Sequence, residues 1–324
     1  MKTCFIGGTG RCGTSILRTI LSRHSRVATL PIEHRLTVDP DGIFDFYRSY
    51  TSGWSPYYAD ARLTRLKNFL EELSSTNPVH KIFRYLFRAF RLAGISITPK
   101  KYLDVELSHF IPNYSEYVNT LLNELVEFEY TGERLGTGSY SFNNKIQYAP
   151  NYSKEQLKKI FQNFIHSFIQ DILTHNHKDY FIEDNTWNIL FSADLLDLIP
   201  NAKIISVIRD PRDVVASLSK QKWMPSNKAQ SAKIYNDLIV EWIEIRRNLD
   251  KQSWIEVRLE DVVLEPESQI RKICNFIELP WEDNLLEIDL SKSNSGRWKK
   301  DFSVEEQRSV IPLLAEHIKS FGYE

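Results

Sequence analysis

Met1-Lys2-Thr3-Cys4-Phe5-Ile6-Gly7-Gly8-Thr9-Gly10-Arg11-Cys12-Gly13-Thr14-Ser15 decides how the rest of this chain is read. Met1 to Ile6 is an apolar run with a β-branched and aromatic bias, which predicts a short buried strand. Ile16-Leu17-Arg18-Thr19-Ile20-Leu21 resumes with helical spacing, and a glycine-rich turn lies between. Strand, glycine loop and helix together aim backbone N–H groups and a helix N-terminus at a bound phosphate. From Gly8 to Ser15 the spacing fits the phosphate-loop pattern G-x-x-x-x-G-K-[ST] except that Thr14 replaces the lysine and Arg11 sits inside the loop. In a nucleotide triphosphatase that lysine reaches the β and γ phosphates, and the hydroxyl after it holds Mg²⁺. A loop with one arginine instead suits a less charged anion, a phosphate or sulfate, with no metal. The other reading of the same residues is a glycine turn that only joins strand to helix.

With 324 residues the chain can bury a large core, as one domain with a substantial insertion or as two domains. Its 41 basic and 42 acidic residues give a net charge of −1, so nothing pulls it toward nucleic acid and any anion site must be local. Cys4, Cys12 and Cys274 form no CxxC pair and no disulfide framework, which fits a reduced, cytoplasmic setting. The first strand begins at Met1 with no signal peptide ahead of it, and no apolar run reaches membrane-spanning length.

Farther along, Arg26 to Pro31 predicts a second strand, and Glu33, His34 and Arg35 follow it. Residues just past a strand's C-terminal end face the ligand crevice of a doubly wound sheet, which makes these three active-site candidates and Glu33 a candidate general base. The alternative for Glu33 is a solvated loop residue. From about Asp39 to Asp179 the βα alternation is absent. Aromatic-rich loops (Phe44, Phe46, Tyr47, Tyr50, Trp54, Tyr57, Tyr58) are joined by helical patterns over Ala59–Leu73, Val79–Leu92, Tyr114–Phe128 and Ser153–Thr174. This reads as a helical insertion that caps the core and forms an acceptor pocket, its aromatics serving as core or as stacking faces for a sugar or an organic cation. Arg84, Arg88 and Arg91 share one face of the segment Lys81 to Arg91, either a solvated face or a surface for a membrane or acidic partner. Gly136-Thr137-Gly138-Ser139-Tyr140 is a candidate lid.

Strands return at Tyr180–Glu183 and Lys203–Ile208, and a last one at Trp254–Arg258. Arg209-Asp210-Pro211-Arg212-Asp213 leads from the second of these into a helix, with Pro211 at its start. Arg209 and Ser217, two turns into that helix, can converge on a second anion. Asp210 and Asp213 suit the helix start electrostatically, and Arg212 reads as a surface residue. Helices follow over Ala229–Leu249, Pro266–Phe276 and Val304–Phe321, with a basic loop from Ser293 to Lys300 before the last. There is no internal repeat and no His/Cys cluster with metal-ligand spacing.

Taken together, these residues resemble the sulfotransferases that use 3′-phosphoadenosine 5′-phosphosulfate (PAPS), closest to the tyrosylprotein and bacterial branch. Gly10-Arg11-Cys12-Gly13-Thr14-Ser15 is similar to that family's 5′-phosphosulfate loop, and Arg209 through Ser217 to its 3′-phosphate motif. Gly296-Arg297-Trp298-Lys299 resembles the late basic loop that closes on the same phosphate. Glu256 to Asp283 and the ending Phe321-Gly322-Tyr323 follow the family's C-terminal pattern. The likeness covers about residues 1–36 and 180–324; the middle matches no pattern in this reading.

The resemblance implies an α/β fold, a phosphate-loop-type parallel β-sheet flanked by helices with a large helical insertion. It forms a single domain whose core is about 1–36 and 180–324 and whose insertion is about 37–179. It also implies PAPS as co-substrate, no metal, and in-line sulfuryl transfer to a small-molecule or glycan acceptor, a hydroxyl on a sugar, lipid or small metabolite. Arg11 would stabilise charge as the S–O bond breaks, the main chain of Gly10 to Ser15 would complete the cradle, and Glu33 would take the acceptor's proton. Arg209, Ser217, Arg297, Trp298 and Lys299 would hold the 3′-phosphate. Two places depart from the family: Asn185-Thr186-Trp187 stands where relatives carry Lys-Thr-Pro, and Leu259 where they often have a tyrosine near the adenine. Two rivals stay open, an ATP-dependent small-molecule kinase, opposed by Thr14, and a binding protein without catalysis, favoured by the missing lysine. Oligomeric state is open, a homodimer included.

Overall fold

The computed structural model describes residues 1–74, 86, 102, 105–132, 145–290 and 294–324. The basic segment Lys81 to Arg91, apart from Leu86, and the candidate lid Gly136 to Tyr140 lie outside the described residues. In chain order the strands are β1 (Lys2–Gly8), β2 (Val27–Ala28), β3 (Phe128–Thr131), β4 (Lys145–Tyr148), β5 (Tyr180–Asp184), β6 (Lys203–Ile208) and β7 (Trp254–Arg258).

Residues 1–29 and 178–324 form one compact unit around a five-stranded sheet of order β2-β5-β1-β6-β7. Every pairing in it is parallel, with Ile6 opposite Asp184, Gly8 opposite Val207 and Ile208 opposite Arg258. All five residues of β5 are buried, as are all but the first of β1 and of β6. Strands covered by helices on both faces read as continuous apolar runs rather than alternating ones, which is why β1, β5 and β6 stand out in the sequence. The chain runs outward from β1 to one side and returns to its other side at β6. The loops after β1, β5, β6 and β7 therefore gather at the carboxyl edge beside a switch point, where ligands bind in open α/β sheets. The second strand is shorter than expected, two residues rather than the run Arg26 to Pro31. The expected basic loop contains a short helical turn, Trp298–Asp301.

Residues 30–177 form the second unit, whose described elements are helices apart from the antiparallel hairpin β3–β4. The segment expected as an aromatic-rich loop is in part a helix, Ile43–Ser52, with Phe44, Phe46, Tyr47 and Tyr50 buried. Phe46 stacks on Tyr50 at 5.0 Å and meets Phe161 edge-on at 5.7 Å. Helix Pro56–Ser74 anchors the hairpin, since buried Asp60 accepts the Gln147 N–H at 2.9 Å. Helix Tyr114–Leu125 stops three residues short of the expected end because Val126 turns extended and Phe128 starts β3. Helix Lys154–His175 opens with a reciprocal cap: the Ser153 hydroxyl accepts from the Gln156 N–H and the Gln156 side chain accepts from the Ser153 N–H.

Candidate active site

The loop after β1 turns through three left-handed residues, Gly10 (φ 82°), Arg11 (φ 58°) and Gly13 (φ 107°), and Gly13 caps helix Thr14–Leu21. A Cβ on Gly8 would lie 2.8 Å from the Val207 carbonyl oxygen, and one on Gly13 would lie 2.7 Å from Leu259. Space and backbone angle thus both demand glycine at position 13. The Ile16 and Leu17 N–H groups donate to the Gly13 carbonyl, which leaves the amides of Thr14 and Ser15 at the open end of the helix. Cys12 and Thr14 are buried, and burial pushes the Cys12 thiol up. Of the expected cradle residues these two therefore offer main chain, whereas Arg11 and Ser15 are exposed.

Arg11 Nε donates to the Ser217 hydroxyl at 3.1 Å. Sequence reasoning assigned these residues to opposite ends of one ligand; they meet directly. Arg209 directly follows β6 and is buried. Its guanidinium donates to the Arg11 carbonyl at 3.1 Å and to the Asn294 carbonyl at 2.8 Å, and lies 3.5 Å from Asp213. Asp213, fully buried, accepts the N–H groups of Gly296 at 2.7 Å and Trp298 at 2.9 Å. Burial pushes its carboxyl up, while these amides and Arg209 pull the other way. Three distant stretches, 8–15, 209–217 and 294–298, are in this way laced together.

Arg212 is not the surface residue expected. It is buried, forms a forked pair with Asp210 and lies under the Trp298 ring at 4.4 Å. Arg297 pairs with Asp301 at 2.8 Å, Lys220 reaches the same carboxylate at 2.8 Å, and Lys299 lies 5.8 Å from the Trp298 ring. At the end of β5, the Asn185 side-chain oxygen accepts the Trp187 N–H while its buried amide nitrogen has no partner among the described residues. Asp184 beside it pairs with Arg18 at 2.6 Å. A pocket of about 350 Å³, walled by Ile16, Val263, Ile288 and Leu290 with Ser15 and Thr19 at its edge, opens beside the loop helix.

Sequence reasoning missed the bracing role of Asp213, because the amides it accepts lie more than eighty residues away. It also missed Trp223, whose indole is 55% exposed yet packs over Gly10. A lone tryptophan directly after the polar run Lys220 to Lys222 was the available signal.

In the helical unit, Glu33 is half-buried and pairs with Arg35 at 2.7 Å. His34, the third candidate there, is buried edge-on to Phe168 and accepts the Leu36 N–H at 3.1 Å. Burial, reinforced by Arg35, pushes its pKa down to about 3, so it is a neutral structural residue and no exchangeable base. Among the described residues no helix is long and apolar enough to cross a membrane.

A sequence profile described as the sulfotransferase family matches residues 106–283, over half of the chain, and so extends into the middle region that matched no pattern above. Protein-tyrosine sulfotransferase A of Caenorhabditis elegans is 28% identical over 153 residues, 43% of this chain and 40% of that protein. The omega-hydroxy-beta-dihydromenaquinone-9 sulfotransferase of Mycobacterium tuberculosis (strain CDC 1551 / Oshkosh) is 25% identical over 182 residues, 51% of this chain and 47% of that protein. The match thus spans less than half the length of either relative. Among solved structures, the sulfotransferase domain of the Synechococcus PCC 7002 olefin synthase aligns over 99% of this chain and 94% of that one, with 15% identity and a TM-score of 0.49.

Proposed function

Because the chain belongs to the sulfotransferase family, we propose that it moves the sulfuryl group of PAPS to an acceptor hydroxyl. The observation that carries this reading is the lacing of the glycine loop to Ser217 and Arg209, which gathers amides, arginines and a hydroxyl at one carboxyl edge. The residues fit such a ligand: Gly8 and Gly13 let the loop pack tightly on Cys12, Val207 and Leu259 with its amides at the open helix end, and the Asn185 amide, unpartnered among the described residues, is a buried donor. The donor supplies the sulfuryl group and the bisphosphate that leaves.

The chain supplies charge and position. The amides of Gly13 to Ser15 and the Arg11 guanidinium face the developing negative charge, donors fixed in place before reaction. Asn185 stands in for the absent lysine. Ser217 and Lys299 meet the 3′-phosphate; Arg209 and Trp298 shape that end by bracing the late loop, and Arg297 joins when it leaves Asp301. The apolar pocket beside Ser15 takes the adenine, with Val263 and Ile288 doing what an aromatic ring does in many relatives. Glu33 accepts the acceptor's proton. The two relatives are named for a tyrosine and an omega-hydroxy menaquinone, both hydroxyl acceptors, and here a hydroxyl on a sugar, lipid or small metabolite is the expected class. Core and insertion act as one sulfotransferase domain.

The test is thermal stabilisation by adenosine 3′,5′-bisphosphate beside ATP with and without Mg²⁺. A ligand that binds only the folded chain raises its melting temperature by mass action. Stabilisation by the bisphosphate alone, weakened in Arg11→Ala, supports sulfuryl transfer. Stabilisation by ATP with Mg²⁺ alone overturns it in favour of a kinase.

A further inference from the structure

The helical unit carries a separate cleft of about 370 Å³, where the end of helix Ile43–Ser52 meets the start of helix Lys154–His175. Two half-buried aromatic rings, Trp54 and Tyr152, line it, and the buried Tyr50 ring lies 6.3 Å from that of Tyr152. Each ring is pinned by its own polar tip. The Tyr50 hydroxyl donates to the Pro150 carbonyl at 2.7 Å, the Trp54 indole N–H to the Ala149 carbonyl at 3.2 Å, and the Tyr152 hydroxyl to the Glu124 carbonyl at 3.0 Å. With those donors spent on main chain, Trp54 and Tyr152 present carbon surface to the cleft, and buried Tyr50 holds the helix end beneath it. Rigid aromatic faces of this kind bind at low entropic cost.

The rim has the opposite character. Thr51 donates its hydroxyl proton to the Tyr47 carbonyl at 2.9 Å and Ser52 donates to the Ser49 carbonyl at 2.9 Å, so both oxygens are left as acceptors. Asn151 is exposed and offers an amide that both donates and accepts. Lys154 is the one cation among the lining residues. Flat carbon faces bordered by acceptors and one amide complement a pyranose ring, whose axial C–H groups form an apolar face and whose hydroxyls project around its edge.

We propose that this cleft binds the pyranose ring of a saccharide. The assignment stands apart from the donor chemistry, and its test uses no nucleotide. Saturation-transfer NMR on the full chain with cellobiose, lactose and N,N′-diacetylchitobiose should show transfer to the ring protons of at least one of them. Trp54→Ala should weaken that binding at least about tenfold through loss of a stacking face. Asn151→Ala should weaken it several-fold with an unchanged melting temperature, and Trp54→Phe, which keeps a ring, should largely restore it. Asn151→Ala keeps the test decisive if Trp54→Ala fails to fold. No transfer from any of the three sugars, or transfer that survives all the substitutions, overturns the assignment. So does binding confined to a heparin disaccharide that vanishes in high salt and ignores Trp54→Ala and Asn151→Ala, since that is charge attraction to Lys154. A chain stabilised by the bisphosphate yet blind to sugars leaves the sulfuryl-transfer reading intact.

Discussion

Arg11 has its main chain bent into the left-handed region while its side chain stays in solvent and leans on Ser217. Nothing in the core depends on that side chain, so Arg11→Ala separates chemistry from folding. Sulfuryl transfer measured with radiolabelled PAPS should fall by about 10²–10³, with stability within about 0.5 kcal/mol of the parent. A variant that transfers at the parental rate would move charge stabilisation to another residue. His34 offers a second single-residue test. The unfolded chain takes up a proton on this imidazole below its ordinary pKa of 6.5, whereas the folded chain resists until about 3. Its contribution is therefore complete above that upper value and is lost as the pH falls through the window. The slope is at most about 1.4 kcal/mol per pH unit. Urea unfolding across this range should show a shallower acid loss in His34→Asn, which keeps an acceptor near the Leu36 N–H. Equal slopes would place the acid sensitivity in other groups.

The glycine loop is the element on which the site turns, and Gly13→Ala tests it. The substitution forces a side chain into a left-handed position and against Leu259 at 2.7 Å. A cost of about 1–2 kcal/mol is expected, together with loss of stabilisation by adenosine 3′,5′-bisphosphate; retained stabilisation would show that the cradle lies elsewhere. This loop was legible in the sequence because local rules govern it: a buried strand, glycines at fixed spacing, a helix start. The strands β5, β6 and β7 were legible for the same reason. The hairpin β3–β4 was not, since all four side chains of β3 are exposed and no alternation marks it. Helix Ile43–Ser52 hid behind its aromatic residues and the glycines at both ends, Gly42 and Gly53. Arg212 and Asp213 were misweighted because their partners, Trp298 and the Gly296 amide, belong to a stretch that only tertiary packing brings near.

At the scale of the whole molecule, a net charge of −1 coexists with a carboxyl edge crowded by Arg11, Arg209, Lys220 and Lys299. Attraction for a doubly phosphorylated nucleotide should therefore be local and sensitive to salt. Calorimetric titration should find binding of the bisphosphate several-fold weaker on going from about 50 to about 500 mM KCl, where the screening length shrinks severalfold, and no retention on duplex DNA in either buffer. Affinity indifferent to salt would mean that base stacking rather than charge holds the nucleotide.

The strand order carries a temporal consequence. β1 is central, yet both of its neighbours, β5 and β6, come from residues 180–208. On the ribosome, its apolar edge leaves the exit tunnel roughly 10–30 s before a partner exists, at ordinary elongation rates. The helical unit, complete by residue 177, emerges just ahead of β5 and so can fold before the sheet closes. The chain is thus built from the inside of its primary structure outward, and Cys4, Phe5 and Ile6 spend the wait as a chaperone's natural client.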